Sequence, residues 1–207
     1  MDEVSRAAVD LALSTTRSVR RRIDFARAVP AELLEAAIDV AVQAPTGANA
    51  EAWRFLVLTE PEPKRAVAEL YRRALARYRE TRSEAAAKPA LNDLAARLHE
   101  IPALVIVCSE GVPDAASRAQ QVAFYASVLP AAWSLMVALR ARGLGATWTT
   151  LHLLHEAEAA AALGIPAGVT QTVLLPVGYA LGAVLRPAER KPAREVTYWN
   201  RWGARRS

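Results

Sequence analysis

Ala44-Pro45-Thr46-Gly47-Ala48-Asn49-Ala50-Glu51-Ala52-Trp53-Arg54-Phe55 is the stretch around which the chain is organised. Ahead of it Leu33, Leu34, Ala37, Ile38, Ala41 and Val42 recur every three to four residues, the stripe of an amphipathic helix. Pro30 opens that helix where a missing amide costs nothing, and Glu32 and Glu35 suit its positive end. Behind it Phe55-Leu56-Val57-Leu58 is a short apolar run that reads as a strand. Between the two lie Pro, Thr, Gly and Asn, the residues of turns whose backbone amides point outward. The stretch is thus a helix–loop–strand corner with free main-chain donors and Trp53 as a flat wall. Such a corner is either an ordinary connection with a core Trp or a place where a rigid scaffold presents a site.

Working outward toward the N-terminus, Val4, Ala8, Leu11 and Ala12 mark a helix over Val4–Leu13 that Ser14-Thr15-Thr16 breaks. Arg17-Ser18-Val19-Arg20-Arg21-Arg22-Ile23-Asp24-Phe25 follows, with four arginines and a serine hydroxyl inside six residues. Three readings fit such a cluster: a solvated basic arm, a nucleic-acid patch, or a cradle for one phosphate. A nucleic-acid patch interleaves aromatics or recurs along the surface. One compact cluster suits a single phosphate better.

Toward the C-terminus, Pro61-Glu62-Pro63 reads as a turn and Arg65–Arg82 as a charged helix burying Val67, Leu70, Ala74 and Tyr78. Ser83–Asn92, rich in Ala and charge with Pro89, reads as a flexible segment before a polar helix over Leu91–Glu100. Ala103–Cys108 is continuously apolar, a central strand. Ser117–Arg142 is apolar nearly all round, so its helix is buried on several sides, which in so small a domain points to a subunit interface with Met136 as a seam residue. Pro130 should kink it. Gly143 suits a left-handed cap, and Ala146–Leu151 reads as an extended edge exposing Thr149 and Thr150. A short helix, Glu156–Leu163, precedes a last strand, Thr170–Tyr179, and a tail of late arginines and aromatics.

The 207 residues suit one domain with a sizeable core, and a hydrophobic share of 53% against 23% charged is ordinary for a globular chain. No run of about 18 apolar residues suggests a membrane span, and the acidic start is no signal peptide. One cysteine, Cys108, forms no internal disulfide, and the three histidines show no metal-ligand spacing. These features lead to the expectation of a cytoplasmic protein with no metal and no membrane partner. A net charge of +5 carried mostly by arginine points to an anionic partner, phosphate or nucleic acid.

The corner resembles the Pro-Ser-x-x-Asn-x-Gln-Pro-Trp segment of the nitroreductase family: Pro45, Thr46, Asn49 and Trp53 match, while Glu51 and Ala52 replace Gln-Pro. Arg17-Ser18-x-Arg20 ahead of Phe25 is similar to that family's flavin-phosphate motif. Gly143-Leu144-Gly145 after the long helix, Leu163-Gly164-Ile165-Pro166, and Val177-Gly178-Tyr179 follow in the family's order, so the resemblance runs from Arg17 to Pro192. It implies an α+β fold, a mixed sheet flanked by helices, in a single FMN-binding domain over 1–207 with 83–92 as a flexible lid. It also implies a homodimer built on the long helix.

The implied cofactor residues are Arg17, Ser18 and Arg20 for the phosphate and ribityl chain, and Pro45, Thr46, Gly47 and Asn49 at the ring. Thr149 and Thr150 would line the ring, with the Thr150 amide toward N5. Arg190 would be a further phosphate contact, and Ala188 stands where the family has a second basic residue. The implied activity is that of an FMN oxidoreductase passing hydride from NAD(P)H, either NADH or NADPH, to a small aromatic acceptor such as a nitro compound or quinone. The chemistry is the flavin's, with no catalytic side chain, no metal and no nucleic acid. Competing readings are a basic nucleic-acid-binding module, a relative with another redox reaction such as dehalogenation or dehydrogenation, and a flavin fold that has lost FMN. No Gly-x-Gly-x-x-Gly unit follows a strand, so nicotinamide has no Rossmann fold of its own here.

Overall fold

The computed structural model describes residues 2–81, 89–182 and 185–206. They form two compact units, one of residues 2–15 and 185–206 and one of 16–182. The 83–88 part of the expected lid, and Arg82, lie outside the described residues.

In the larger unit the elements are β1 (Ile23–Asp24), α2 (Ala31–Ala41), β2 (Trp53–Leu58), α3 (Pro61–Thr81), α4 (Pro89–Arg97), β3 (Ala103–Glu110), α5 (Arg118–Ala141), β4 (Leu144–Ala146), α6 (Glu156–Leu163) and β5 (Val169–Ala180). The sheet runs β1-β5-β3-β2, with β4 also on β5. Every pairing between these strands is antiparallel, and parallel pairing occurs only at single bridges such as Ser18 with Ala146. The α+β class expected from the sequence therefore holds, with an antiparallel sheet flanked by helices.

Side chains alternate across a strand, so β3 supplies both faces of the core. Ala103, Val105 and Val107 join Val173, Leu175 and Val177 of β5 under α2 and α5, where Leu34, Ala37, Ala41, Val128, Ala132, Leu135 and Leu139 close the layer. Leu104, Ile106 and Leu174 on the opposite face are equally buried. On that side α3 packs on α4, α6 and the 3-10 turn Leu151–His155. A buried ammonium, Lys64, ties α3 to the chain before β3 by donating to the Ile101 carbonyl at 2.9 Å.

Three local expectations are corrected. Pro61-Glu62-Pro63 is the first turn of α3, where prolines forgo only amides that a helix start leaves unbonded. Met136 is 4% exposed within the chain and packs in its own core, so it is no seam residue. Trp53 belongs to that core too and is not an open wall. The helix α5 continues through Pro130 over 24 residues, long and apolar enough by composition to cross a membrane. Here its Val128–Leu139 face is packed, while Val122, Tyr125 and Trp133 are exposed. Ser117 caps its start, accepting from the Gln120 amide.

The smaller unit combines α1 (Glu3–Thr15) with a tail containing α7 (Ala193–Val196). α1 runs through Thr15, further than Leu13, and leaves Val4 and Leu11 exposed. In the tail the Tyr198 and Trp202 rings lie 4.6 Å apart, Arg205 reaches over Tyr198, and Trp202 is 90% exposed.

Candidate active site

The arginine arm is fastened to the sheet at Val19. Its amide donates to the Ala146 carbonyl at 2.9 Å, and its carbonyl accepts from Thr147 Oγ1 at 2.7 Å. Both residues are buried, and Gly145 makes the approach feasible: a Cβ there would lie 2.9 Å from Val19 Cβ. The arm thus runs beside β4 with Ser18 bridged to Ala146.

Its four guanidinium groups differ in their commitments. Arg17 donates to the Thr16 carbonyl, Arg21 pairs with Asp93 at 2.9 Å, and Arg22 donates to the Gly182 carbonyl. Arg20 has no ion-pair partner among the described residues. It borders a cavity of about 370 Å³ with Arg21, Phe25, Asp93 and Arg97. Arg97 stacks over Phe25 at 3.6 Å and is itself paired with Glu100. Arg20, the uncommitted cation, is one of the two arginines of the arm that the flavin-phosphate resemblance selects, the other being Arg17.

The chain after β4 passes directly from this arm to the two threonines. Thr149 is locked to β5 at both backbone groups, donating to the Leu174 carbonyl at 3.1 Å and accepting from its amide at 2.9 Å. Its hydroxyl lies 2.9 Å from Tyr71 Oη of α3, and it is half-buried, where the sequence suggested exposure. Periodicity had put Tyr78 on the buried side of α3. Tyr71, one residue beyond Leu70, is the ring with no exposed surface. Thr150 is exposed, and its amide meets no acceptor among the described residues.

The corner is a separate group. Gly47 donates its amide to Ser127 Oγ of α5 at 3.1 Å, and a Cβ at Gly47 would lie 2.8 Å from that oxygen. Ala48, Asn49 and Glu51 all have left-handed backbone, with φ of 51°, 53° and 49°. For residues with a Cβ that conformation costs on the order of 1 kcal/mol or more each, and such strain gathers at functional sites. Thr46 Oγ1 is buried without a partner among the described residues, while Asn49 is exposed.

Pairing fixes how far the start of β2, into which the corner leads, lies from Thr149. Thr149 pairs with Leu174, Leu174 with Ile106, and Ile106 with Leu56. Three strand spacings of about 4.8 Å, then three residues along β2 to Trp53, give roughly 17 Å. One chain therefore gathers Arg17, Ser18, Arg20, Thr149 and Thr150 on one flank, and Pro45, Thr46, Gly47 and Asn49 on another. Arg190 is exposed in the tail unit.

Two buried groups lie outside these clusters. His152, in the 3-10 turn after Thr150, has no exposed surface and, among the described residues, no partner for either ring nitrogen, and burial pulls its pKa down to about 4. Burial likewise pushes the Cys108 thiol up to about 12, so it is an unreactive core thiol.

An antiparallel sheet between helical layers, with a basic arm beside a free-amide turn, has the fold of FMN flavoproteins of the nitroreductase type. The chain belongs to the nitroreductase family, whose family model matches residues 13–179. It is 30% identical over 192 residues to iodotyrosine deiodinase 1 of Rattus norvegicus, covering 86% of this chain and 66% of that protein. This chain thus spans just under two thirds of that relative. Among solved structures, iodotyrosine deiodinase bound to FMN and 3-iodo-L-tyrosine superposes with a TM-score of 0.65 at 26% identity, covering 93% of this chain and 98% of that one. The FMN-dependent nitroreductase NfnB of Mycobacterium smegmatis, in complex with NADPH, gives 0.72 at 20% identity over 96% and 100% of the two chains.

Proposed function

We propose that the protein is an FMN-dependent oxidoreductase that takes hydride from NAD(P)H and reduces a small aromatic acceptor such as a nitro compound or a quinone. The observation that carries this reading is the fastened arm: Arg20 uncommitted at one end, the free Thr150 amide at the other, and only Val19 to Thr149 between them. These groups suit a ligand with an anionic phosphate and a flat acceptor ring. Arg17, Ser18 and Arg20 hold the phosphate. Charge-assisted bonds from guanidinium groups are the strong kind. Thr149 and Thr150 line the ring edge, and Pro45, Thr46, Gly47 and Asn49 supply the wall on the other flank. Bound FMN supplies the hydride relay, and the protein orients it.

Because the strand into which the corner leads starts roughly 17 Å from Thr149 in one chain, the proposal includes a homodimer in which each site borrows the corner of the partner. Val122, Tyr125 and Trp133, exposed on α5 next to the corner's anchor at Ser127, support that surface as the contact. A cytoplasmic location, with neither membrane nor nucleic acid as partner, completes the proposal.

The similarity to iodotyrosine deiodinases supports a second acceptor, a halogenated phenol losing halide by reduction. Absorption of the purified protein and chromatography of the flavin released on denaturation test the cofactor. FMN is expected; FAD, or no uptake after reconstitution with FMN, overturns the reading. NADPH-driven turnover of a nitroaromatic against 3-iodotyrosine then separates the acceptors.

A further inference from the structure

Burying a tyrosine ring does not require its hydroxyl; phenylalanine would fill the same space without a polar atom in need of a partner. Tyr71 nevertheless carries one, with no exposed surface, inside the buried row Val67, Leu70, Tyr71 and Ala74 of α3. Its oxygen meets Thr149 Oγ1 at 2.9 Å. Burial holds the phenol above its usual pKa, outweighing the bond to Thr149 and the more distant charge of Arg20, which both favour ionisation. Tyr71 is therefore a neutral O–H. Either oxygen of this pair can donate, and a phenol is the more acidic of the two hydroxyls, which favours Tyr71 as the donor. Accepting from Tyr71 leaves the Thr149 hydrogen for a third group.

The phenol thus ties α3 to the turn after β4, and the charge of the arginine arm acts on the same group. The backbone of Thr149 is already bonded to Leu174 at both ends. The phenol fixes the one remaining freedom, the side-chain rotor, and stiffens the link to the exposed Thr150 amide.

We propose that Tyr71 is a positioning residue of the flavin site, donating to Thr149 so that the threonine hydroxyl and the Thr150 amide are held as hydrogen-bond donors for the ring. The proposal rests on the flavin reading given above. An oxidised flavin ring presents an acceptor nitrogen that is protonated once reduced, so donors held at the ring favour the oxidised state. Releasing them should weaken binding of oxidised FMN and leave reduced FMN nearly untouched.

The full-length apo-protein, as wild type, Tyr71→Phe, Thr149→Val and the double variant, is titrated with oxidised FMN and, anaerobically, with dithionite-reduced FMN. Loss of one buried bond predicts about tenfold weaker binding of oxidised FMN in Tyr71→Phe, with reduced FMN changed less than twofold. The midpoint potential of the bound flavin then rises by about 30 mV. Thr149→Val should give the same asymmetric loss, and the double variant no more than either single one. If both forms weaken equally, or neither weakens, Tyr71 is a packing residue and the proposal is overturned. Should Tyr71→Phe fail to fold, Thr149→Val decides by the same ratio. A wild type that binds neither form overturns the flavin reading itself, an outcome distinct from equal loss in the variants.

Discussion

Thr147→Val removes one oxygen from the joint between the arginine arm and the sheet. Valine fills the volume of threonine, and Thr147 has no exposed surface, so neither a cavity nor overpacking complicates the change. What is lost is the 2.7 Å bond to the Val19 carbonyl, an acceptor in a residue only 6% exposed. Leaving a buried acceptor unsatisfied costs about 1–3 kcal/mol. In a chain of this size each kcal/mol lowers Tm by about 2–4 °C, so a fall of roughly 4–8 °C is the central expectation. The arm keeps its second bond, Val19 to Ala146, and so loosens without detaching. The added stability from a fixed excess of FMN, which follows RT ln(1 + [L]/Kd), should shrink in the variant because its arm carries the proposed phosphate contacts. Thermal scans with and without FMN measure both effects, and Thr147→Ser, which keeps the hydroxyl, should recover most of the loss. A valine variant melting within about 1 °C of wild type would refute the reasoning, because the Val19 carbonyl would then be satisfied from elsewhere.

Arg20→Ala should weaken FMN by about one to two decades, the worth of a charge-assisted contact of roughly 1.5–3 kcal/mol, and leave turnover at saturating FMN little changed. Titration of the apo-protein checks it, an unchanged Kd returning Arg20 to the surface. His152, held near 4 against an unfolded value near 6.5, binds its proton only in the unfolded chain between those limits. Its contribution is whole above about pH 6.5 and drains away as pH falls toward 4, by roughly 1.4 kcal/mol per unit. Denaturant midpoints across that window should flatten in His152→Leu. Trp133→Glu, on the exposed side of α5, should lower the sedimenting mass and the flavin content together; a flavinated monomer would end the homodimer proposal.

Elements whose cause is local were legible. The helical stripe leading into the corner, the apolar run Ala103–Cys108 and the Gly143 and Gly164 turns, both at left-handed φ, needed only periodicity and backbone preference. Where tertiary context decides, reading failed. Pro61 and Pro63 punctuate a sequence as a turn does, yet a helix start tolerates both. Tyr71 and Tyr78 stand two turns apart on one helix, and only the position of Thr149 across the fold gives the first of them that partner. The long helix looked apolar all round because alanine, buried or not, counts as apolar. Which of its faces meets the sheet depends on α2 and β5, and that places Met136 inside and Trp133 outside. Of the candidate site, the arm and the threonines were readable as motifs. Their junction through Val19 and Thr147 was not, since parallel bridging of Ser18 to Ala146 links residues 128 apart in sequence.

The charge of the chain bears on how these parts combine. Twenty-six basic residues stand against twenty-one acidic ones overall, but within 185–206 seven basic residues stand against two acidic, so the whole excess lies in the tail. The arm, for all its arginines, belongs to a balanced remainder in which Arg21 has Asp93. A phosphate held by the arm alone would rest on Arg20 and the partly committed Arg17. That is a thin cradle for a dianion whose bonds are each worth a few kcal/mol at most. Arg190, placed by the resemblance at the same phosphate, comes from the part of the chain where positive charge is in excess. Under the homodimer proposal the corner is borrowed for the ring. A chain deprived of that corner should then hold FMN only weakly, even with its Arg20 and Thr150 intact.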